Sequence, residues 1–141
     1  MSDSGRTEIV LVVLRCSDRI CLARRSDQVA TSRGLWSVVT GYVEPGVEPL
    51  AQAWQELEEE LGLHSADLRL VCSLAPVPLT STTSGKRFHV YPFLFEGAPA
   101  CEIVLNWEHT EYAWVEPARL AESDCVAWQR DIVATLLEQL S

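Results

Sequence analysis

The segment Pro49–Leu61 (PLAQAWQELEEEL) constrains the fold of this chain more than any other stretch of its sequence. Proline is tolerated in the first turn of a helix, and a glycine such as Gly62 is typical of the position just past the last turn. The segment is therefore predicted to be a helix. At about 100° per residue, its large apolar side chains share one stripe that can pack against a sheet. The stripe consists of Leu50, Trp54, Leu57 and Leu61.

Three carboxylates occupy a narrow arc beside that stripe, namely Glu56, Glu59 and Glu60. Like charges three and four residues apart repel one another and cost helix stability. A helix that keeps them either leaves this face in water or places a cation there. Acidic helix faces are usually only solvated. Converging carboxylates are also the ligands that a hard ion such as Mg²⁺ or Mn²⁺ prefers.

The sequence around the helix resembles the Nudix box, G-x5-E-x7-R-E-U-x-E-E-x-G-U, in which U is aliphatic. A glycine- and proline-containing turn over residues 41–46 (GYVEPG) precedes the helix, and Gly41 takes the first glycine of the box. The second half of the box matches without a gap through Glu56, Leu57, Glu59, Glu60, Gly62 and Leu63. The resemblance implies an α/β protein with the Nudix fold, a mixed β-sheet in an α/β/α sandwich. Residues 1–141 would form one Nudix domain.

Two positions depart from the box. Val47 stands in place of its first glutamate, and Gln55 in place of its arginine. In the family these two residues support the geometry of the loop and helix, whereas metal ligands come from the later glutamates. Because both charges are missing, neither leaves the other unpaired. Glu48 lies one residue late, which rotates it by about 100° on a helix. The departures therefore bear more on catalytic efficiency than on metal binding.

The resemblance implies a Mg²⁺ or Mn²⁺ cofactor held by Glu56, Glu59 and Glu60. Related enzymes also use a backbone carbonyl just before the box glycine, which here belongs to Thr40. Glu59 and Glu60 would be catalytic through the metal.

Residues 35–44 form a second informative segment. A W-x-S-V-T-G-x-V-E start is similar to the dATP and dihydroneopterin triphosphate pyrophosphohydrolase branch, although residues 36–40 here read WSVVT. Trp36 is either a substrate-binding residue or a core aromatic, and the sequence leaves both readings open.

Residues 106–115 (NWEHTEYAWV) form the third informative segment. An E-H-x-x-Y-x-W-V pattern resembles the place where many Nudix hydrolases have a further glutamate, either a metal ligand or a general base. Glu108 matches that position, and Glu111 is the competing choice. A carboxylate beside metals can orient or deprotonate the attacking water. Arg24 and Arg25, which end a predicted strand, either reach substrate phosphates or are solvated.

Composition narrows the class of protein. The net charge of −9 argues against nonspecific nucleic-acid binding, which relies on basic patches. No apolar run approaches the length of a membrane span, so a cytoplasmic protein without nucleic-acid or membrane partners is expected. The five cysteines are odd in number and lack a CxxC pair, which favours reduced thiols. A homodimer is left open.

Strand patterns outnumber helical ones along the chain. Strands are predicted over residues 9–14, 20–23, 35–40, 68–77, 87–95, 98–105 and 110–115. A helical turn is predicted over 118–122 and an amphipathic helix over 126–140. Pro92 indicates an edge strand or a bulge within the fifth of these strands. A mixed sheet between helices accommodates this order.

The function implied by the resemblance is hydrolysis of a nucleoside diphosphate linked to another moiety. The favoured substrate is a (deoxy)nucleoside triphosphate or a similar small pyrophosphate, with specificity set by loops at residues 26–34 and 80–86. A second hypothesis is a nucleotide-binding or regulatory module of the same fold with weak or no catalysis. A third is an acidic interaction protein whose helix is merely solvated.

Overall fold

The computed structural model describes residues 6–82, 84–99, 101–122 and 124–140, and within these ranges eight strands form one mixed sheet. The strands are β1 Arg6–Cys16, β2 Arg19–Arg25, β3 Trp36–Ser37, β4 Val39–Tyr42, β5 Leu68–Ser73, β6 Val77–Thr80, β7 Arg87–Gly97 and β8 His109–Val115. The helices are α1 Pro49–Leu61 and α2 Ala127–Glu138, with 3₁₀ turns at Ser65–Asp67 and Pro117–Glu122.

Strand β1 lies at the centre of the sheet. It pairs in parallel with β7 along one edge, and its other edge is shared by β4 at Ile9–Val12 and by β2 at Arg15 and Cys16. Its side chains from Ile9 to Leu14 are all buried. A strand with both faces covered needs this continuous apolar run rather than an alternating one.

Two apolar cores lie on opposite faces of the sheet. Alternate residues of β1 point to opposite faces, so Val10 and Val12 pack with Leu57 of α1, while Leu11 packs with Leu136 of α2. On the α1 side, the rings of Trp54 and Phe95 meet edge to face with their centroids 4.7 Å apart. The predicted mixed sheet between helices is thereby confirmed.

The ends of three strands come together at one end of the sheet. Strand β2 runs antiparallel to β1, so Arg25 lies towards the end at which β1 begins. His109, the first residue of β8, pairs with Arg25. Tyr42, the last residue of β4, pairs with Ile9 near the start of β1. The loop before α1 and the start of β8 therefore border the same region.

The predicted strand over residues 98–105 is wrong for its described residues, which form no strand. The segment crosses the end of α1 instead, where the Val104 N–H donates to the Leu61 carbonyl at 2.8 Å and Val104 lies against Gly62. Ile103 is buried in the α1-side core. The backbone of this segment therefore hydrogen-bonds to the end of a helix and not to a neighbouring strand. A periodic pattern of apolar residues does not distinguish these two cases.

Two other predicted strands are interrupted. The stretch 35–40 divides into β3 and β4 because the N–H of Val38 turns away to Oε1 of Gln129 on α2, at 3.0 Å. The stretch 68–77 divides into β5 and β6, which pair in succession with β7. Pro92 is therefore on an interior strand and not at an edge. The register shift in the pairing of β5 with β7 lies at Leu70–Cys72 of β5.

No helix within the described parts of the chain is long and apolar enough to cross a bilayer. All five cysteines are free thiols. Burial raises the pKa of both Cys16 and Cys21 to about 12, which keeps them protonated at neutral pH.

Candidate metal and catalytic site

Helix α1 buries a ladder of polar side chains. Gln52, Glu56 and Glu60 follow one another at intervals of four residues on its sheet-facing side, and each is at most 8% exposed. Carboxylates are almost never buried to this extent unless they are paired or bind a cation. The burial of two glutamates on one helix face is therefore the feature that marks a functional site.

The two ends of α1 fix which residues belong to the helix that carries Gln52, Glu56 and Glu60. Proline at Pro49 starts α1 after Glu48, whose backbone is extended. At the other end Gly62 adopts the left-handed conformation with φ 69°, and its N–H donates to the Glu58 carbonyl at 3.0 Å.

Gly41 covers the carboxyl group of Glu56. A Cβ atom at this position would overlap the Glu56 carboxyl carbon and both of its oxygens, so only glycine allows the strand to lie this close. Thr40 precedes it in β4 and pairs with Leu11 of β1. The structure thus brings the backbone of Gly41, near the end of β4, onto the buried carboxyl of Glu56.

Gln52 ties the loop before α1 to Glu56. Its Oε1 accepts from the Glu44 N–H at 3.1 Å, and its Nε2 donates to Oε2 of Glu56 at 2.8 Å. The side chain is fully buried, so both bonds are shielded from water. Sequence reasoning did not identify Gln52. Its position four residues before Glu56 on the helix was the available signal.

Glu56 and Glu60 hydrogen-bond to each other. Burial above all, together with the hydrogen bond to Glu56 and the charge of Glu108, raises the pKa of Glu60 to about 10. Burial also raises the pKa of Glu56. Two buried carboxyls in contact cannot both ionise at neutral pH without a compensating charge, so the pair retains a proton when no cation is bound.

Glu59 does not join this pair. Its side chain is exposed, and its Oε2 accepts from Nε2 of Gln55 at 3.0 Å. The same Gln55 nitrogen reaches Oε2 of Glu44 at 3.2 Å. Gln55, which stands in the arginine position of the box, therefore still links the loop to the helix. The structure brings together two of the three glutamates predicted to converge.

Glu108 borders the buried pair, and Glu111 does not. The charge of Glu108 raises the pKa of both Glu56 and Glu60. Asn106 holds Glu108 through a side-chain bond of 3.3 Å to its Oε1 and by accepting its N–H at 3.0 Å. Glu111 instead forms an exposed ion pair with Arg24 at 3.2 Å.

His109 is a buried neighbour of Glu60. Its side chain is 2% exposed, and its Nδ1 lies 3.9 Å from Oε1 of Glu60. That nitrogen has no hydrogen-bond partner among the residues that the structure describes. Burial and, secondarily, the charge of Arg25 lower the pKa of His109 to about 4, so the ring is neutral at neutral pH.

The two arginines at the end of β2 have different surroundings. Arg25 lies close enough to Glu60 for its charge to lower the pKa of that carboxyl. Its Nε donates to the Thr31 carbonyl at 2.9 Å. Arg24 donates instead to the Gly34 carbonyl at 3.0 Å and to Glu111. Neighbouring residues of a strand point to opposite faces, which accounts for the difference.

Trp36 packs against the α2-side core, on the other face of the sheet from Glu56. Its N–H donates to the Asp124 carbonyl at 2.9 Å, and its carbonyl accepts from the Val126 N–H. This position matches the core reading of Trp36 rather than the substrate-binding one.

The donor chemistry of this region fits a hard divalent cation. Two buried carboxyls interact with each other, and Gly41 encloses the carboxyl group of one of them, Glu56. Within the described ranges, no three His, Cys, Asp or Glu side chains are arranged to hold a metal together. Glu108, whose charge acts on both carboxyls, is a further oxygen donor beside the pair.

Curated proteins with similar sequences include nucleotide hydrolases. The chain is 29% identical over 131 residues to the putative 8-oxo-dGTP diphosphatase 2 of Mycobacterium tuberculosis, covering 92% of this chain and 86% of that protein. It is 27% identical over 125 residues to the nucleoside triphosphatase NudI of Escherichia fergusonii, covering 82% and 86%. It also matches an octanoyltransferase of Myxococcus xanthus at 32% identity, covering 70% of this chain but spanning only 26% of that protein.

Solved structures share the whole fold. The MutT protein from Methanosarcina mazei Go1 superposes with a TM-score of 0.78 at 23% identity, over 100% of this chain and 99% of that one. The dihydroneopterin triphosphate pyrophosphohydrolase of E. coli superposes with a TM-score of 0.74 at 23% identity, over 94% and 92%. The model of the NUDIX domain family matches residues 5–136. The chain therefore belongs to the NUDIX domain family, the Nudix hydrolases, as its box-like helix predicted.

Proposed function

We propose that this protein is a metal-dependent pyrophosphohydrolase that cleaves nucleoside triphosphates with water. The observation that carries the proposal is the buried Glu56–Glu60 pair, in which Gly41 lies against the Glu56 carboxyl. A protein that used α1 only for packing would gain stability from apolar residues at these two positions, because buried carboxyls are costly. A divalent cation offsets that cost and gives the carboxylates a function.

Glu56 and Glu60 would hold the cation, with the Thr40 carbonyl and Glu59 as further oxygen donors. When bound, Mg²⁺ or Mn²⁺ supplies charge neutralisation for the diphosphate and lowers the pKa of water. The orientation of Glu56 is set in advance by Gln52, since the glutamine amide is itself held by the Glu44 N–H.

Glu108 would act as the general base. Its carboxylate, held by Asn106, accepts a proton from the water that attacks phosphorus. Attack breaks one phosphoanhydride bond and releases a monophosphate and pyrophosphate. Arg25 would contact the phosphates, because it is the β2 arginine whose charge acts on Glu60 and which pairs with the buried His109. Arg24, paired with Glu111, and Trp36, packed in the α2-side core, have weaker support as binding residues.

Two observations support the choice of substrate class, namely the names of similar proteins and a resemblance in sequence. The similar proteins of M. tuberculosis and E. fergusonii carry nucleotide phosphatase names. The WSVVT start of residues 36–40 resembles the dATP and dihydroneopterin triphosphate branch. We propose a (deoxy)nucleoside triphosphate or a similar small pyrophosphate as the substrate.

The test is turnover of a panel of nucleoside triphosphates, dinucleoside polyphosphates, ADP-ribose and nucleotide sugars with Mg²⁺. Wild type is expected to release pyrophosphate from at least one triphosphate, and Glu60→Gln to lose this activity. Glu58→Gln is the matched control, because Glu58 is exposed on the opposite side of the same helix. Absence of metal-dependent turnover across the panel would refute the enzyme.

A second candidate is a nucleotide-binding module without useful catalysis. The observation in its favour is that Glu59 is engaged by Gln55 instead of facing the buried pair. This candidate predicts that a triphosphate binds in the presence of Mg²⁺, measured by calorimetry, but is recovered intact. Pyrophosphate release at a rate that Glu60→Gln abolishes would exclude it.

A further inference from the structure

The side chain of His109 is a polar group that the proposed reaction leaves without a role. Its ring is 2% exposed at the start of β8, and its Nδ1 is buried without a hydrogen-bond partner in the described part of the chain. Removing a nitrogen from water without giving it a partner costs free energy, so a buried orphan of this kind requires an explanation.

The groups around the ring identify its partner. Arg25, which pairs with His109 across the strands, offers only hydrogen-bond donors. The Oε1 atom of Glu108 already accepts from Asn106. Oε1 of Glu60, at 3.9 Å from Nδ1, is a carboxylate oxygen almost as buried as the ring itself. That separation is beyond a hydrogen bond, but a shift of under about 1 Å would close it.

The alternative partner of Glu60 is Glu56. The two carboxyls share a hydrogen bond, which engages an oxygen of Glu60. A cation between the carboxylates would break that bond and leave an oxygen of Glu60 free to accept. A ring tautomer protonated at Nδ1 offers the donor for it.

We propose that His109 is a positioning residue whose Nδ1–H donates to Glu60 and fixes the carboxylate for metal binding. The inference rests on the metal site of the proposed function and adds a residue to it. His109 acts through Glu60 and touches neither substrate nor metal. Such outer partners of metal ligands commonly contribute about 10- to 100-fold in metal affinity.

Two substitutions separate this role from simple filling of space. His109→Asn retains a side-chain N–H in nearly the position of Nδ1. His109→Leu fills a similar volume without any donor. His109→Met supplies the same comparison if His109→Leu does not fold. Thermal unfolding in chelator establishes that each variant is folded before metal is added.

The experiment measures Mn²⁺ affinity by titration calorimetry for wild type, the His109 variants and Glu60→Gln. His109→Leu is expected to bind Mn²⁺ about 10- to 100-fold more weakly than wild type. His109→Asn is expected to restore the affinity to within about threefold. Electron spin echo spectra of Mn²⁺ bound to wild type should show no nitrogen bonded to the ion.

The possible outcomes distinguish failure of the proposed metal site from failure of the proposed positioning role of His109. If Glu60→Gln loses Mn²⁺ while His109→Leu binds as wild type does, the metal site stands and the positioning role is overturned. Equal weakening in His109→Asn and His109→Leu indicates a purely structural ring and also overturns it. A nitrogen coupling that disappears in His109→Leu makes His109 a direct ligand and overturns the role as stated. Failure of wild type to bind Mn²⁺ overturns both proposals.

Discussion

Nε2 of Gln52 donates to Oε2 of Glu56 at 2.8 Å, one turn apart on the buried face of α1. The bond joins a neutral amide to a carboxyl that Gly41 covers from the strand side. It therefore holds one candidate ligand in place before any cation arrives.

Replacement of Gln52 by leucine should destabilise the metal-free protein. The change removes the bond to Glu56 and leaves the Glu44 N–H without its acceptor, each a loss of about 1–3 kcal/mol for buried groups. Urea unfolding in chelator measures the difference. Glu58→Gln on the exposed face should stay within about 0.5 kcal/mol of wild type. Equal stability of the Gln52 variant and wild type would show that the ladder is not structural.

Gly41→Ala should weaken Mn²⁺ binding. The added methyl group would occupy the place of the Glu56 carboxyl and force that side chain to move. Gly85→Ala is the control, because a Cβ there comes within 4 Å of no atom of the described residues, although φ is +73°. Its strain of about 1–2 kcal/mol should lower stability without changing metal affinity. Unchanged Mn²⁺ affinity in Gly41→Ala would argue against a site at Glu56.

Removal of metal should make stability depend on pH through Glu60. Its pKa is raised from 4.5 to about 10 in the folded protein, mainly by burial. A raised pKa means that the folded state binds the proton more tightly than the unfolded state does. The stabilisation is complete below pH 4.5 and declines as pH rises towards 10. In chelator, the melting temperature should therefore fall between pH 6 and pH 9, because the free energy of unfolding declines across this range.

Mg²⁺ in excess should reduce this fall, because the ion replaces the shared proton and stabilises the folded state by mass action. Glu60→Gln cannot ionise and should show a flatter pH profile in chelator. A profile for wild type that matches that of Glu60→Gln would contradict the buried pair.

Arg25→Gln should lower kcat/KM for the triphosphate by about 10- to 100-fold, the equivalent of one lost charge-assisted bond. Arg24→Gln is the matched control at the neighbouring position. Arg24 is occupied by an exposed pair with Glu111, worth at most about 1 kcal/mol, so its loss should change kcat/KM little. The opposite ranking would assign the phosphate contact to Arg24.

Local sequence predicted the parts of this protein that depend on neighbours along the chain. Helix α1 begins at Pro49 and ends before Gly62 as expected, because a proline and a left-handed glycine act within one turn. The central strand β1 follows from a continuous apolar run. The box half from Glu56 to Leu63 identified the family that the NUDIX domain model matches.

Tertiary structure decided which of the candidate groups meet. Periodicity placed Glu59 with Glu56 and Glu60, yet only the latter two are buried, and the residue that covers Glu56 is Gly41 from a different element. His109 reaches Glu60 across the pairing of β2 with β8, a contact that no local pattern encodes. Residues 101–105 form no strand, although one was predicted there, because their backbone hydrogen-bonds to the end of α1 through Val104 and Leu61. Burial and pairing depend on elements distant in sequence, and these determine whether a carboxylate is solvated or forms a site.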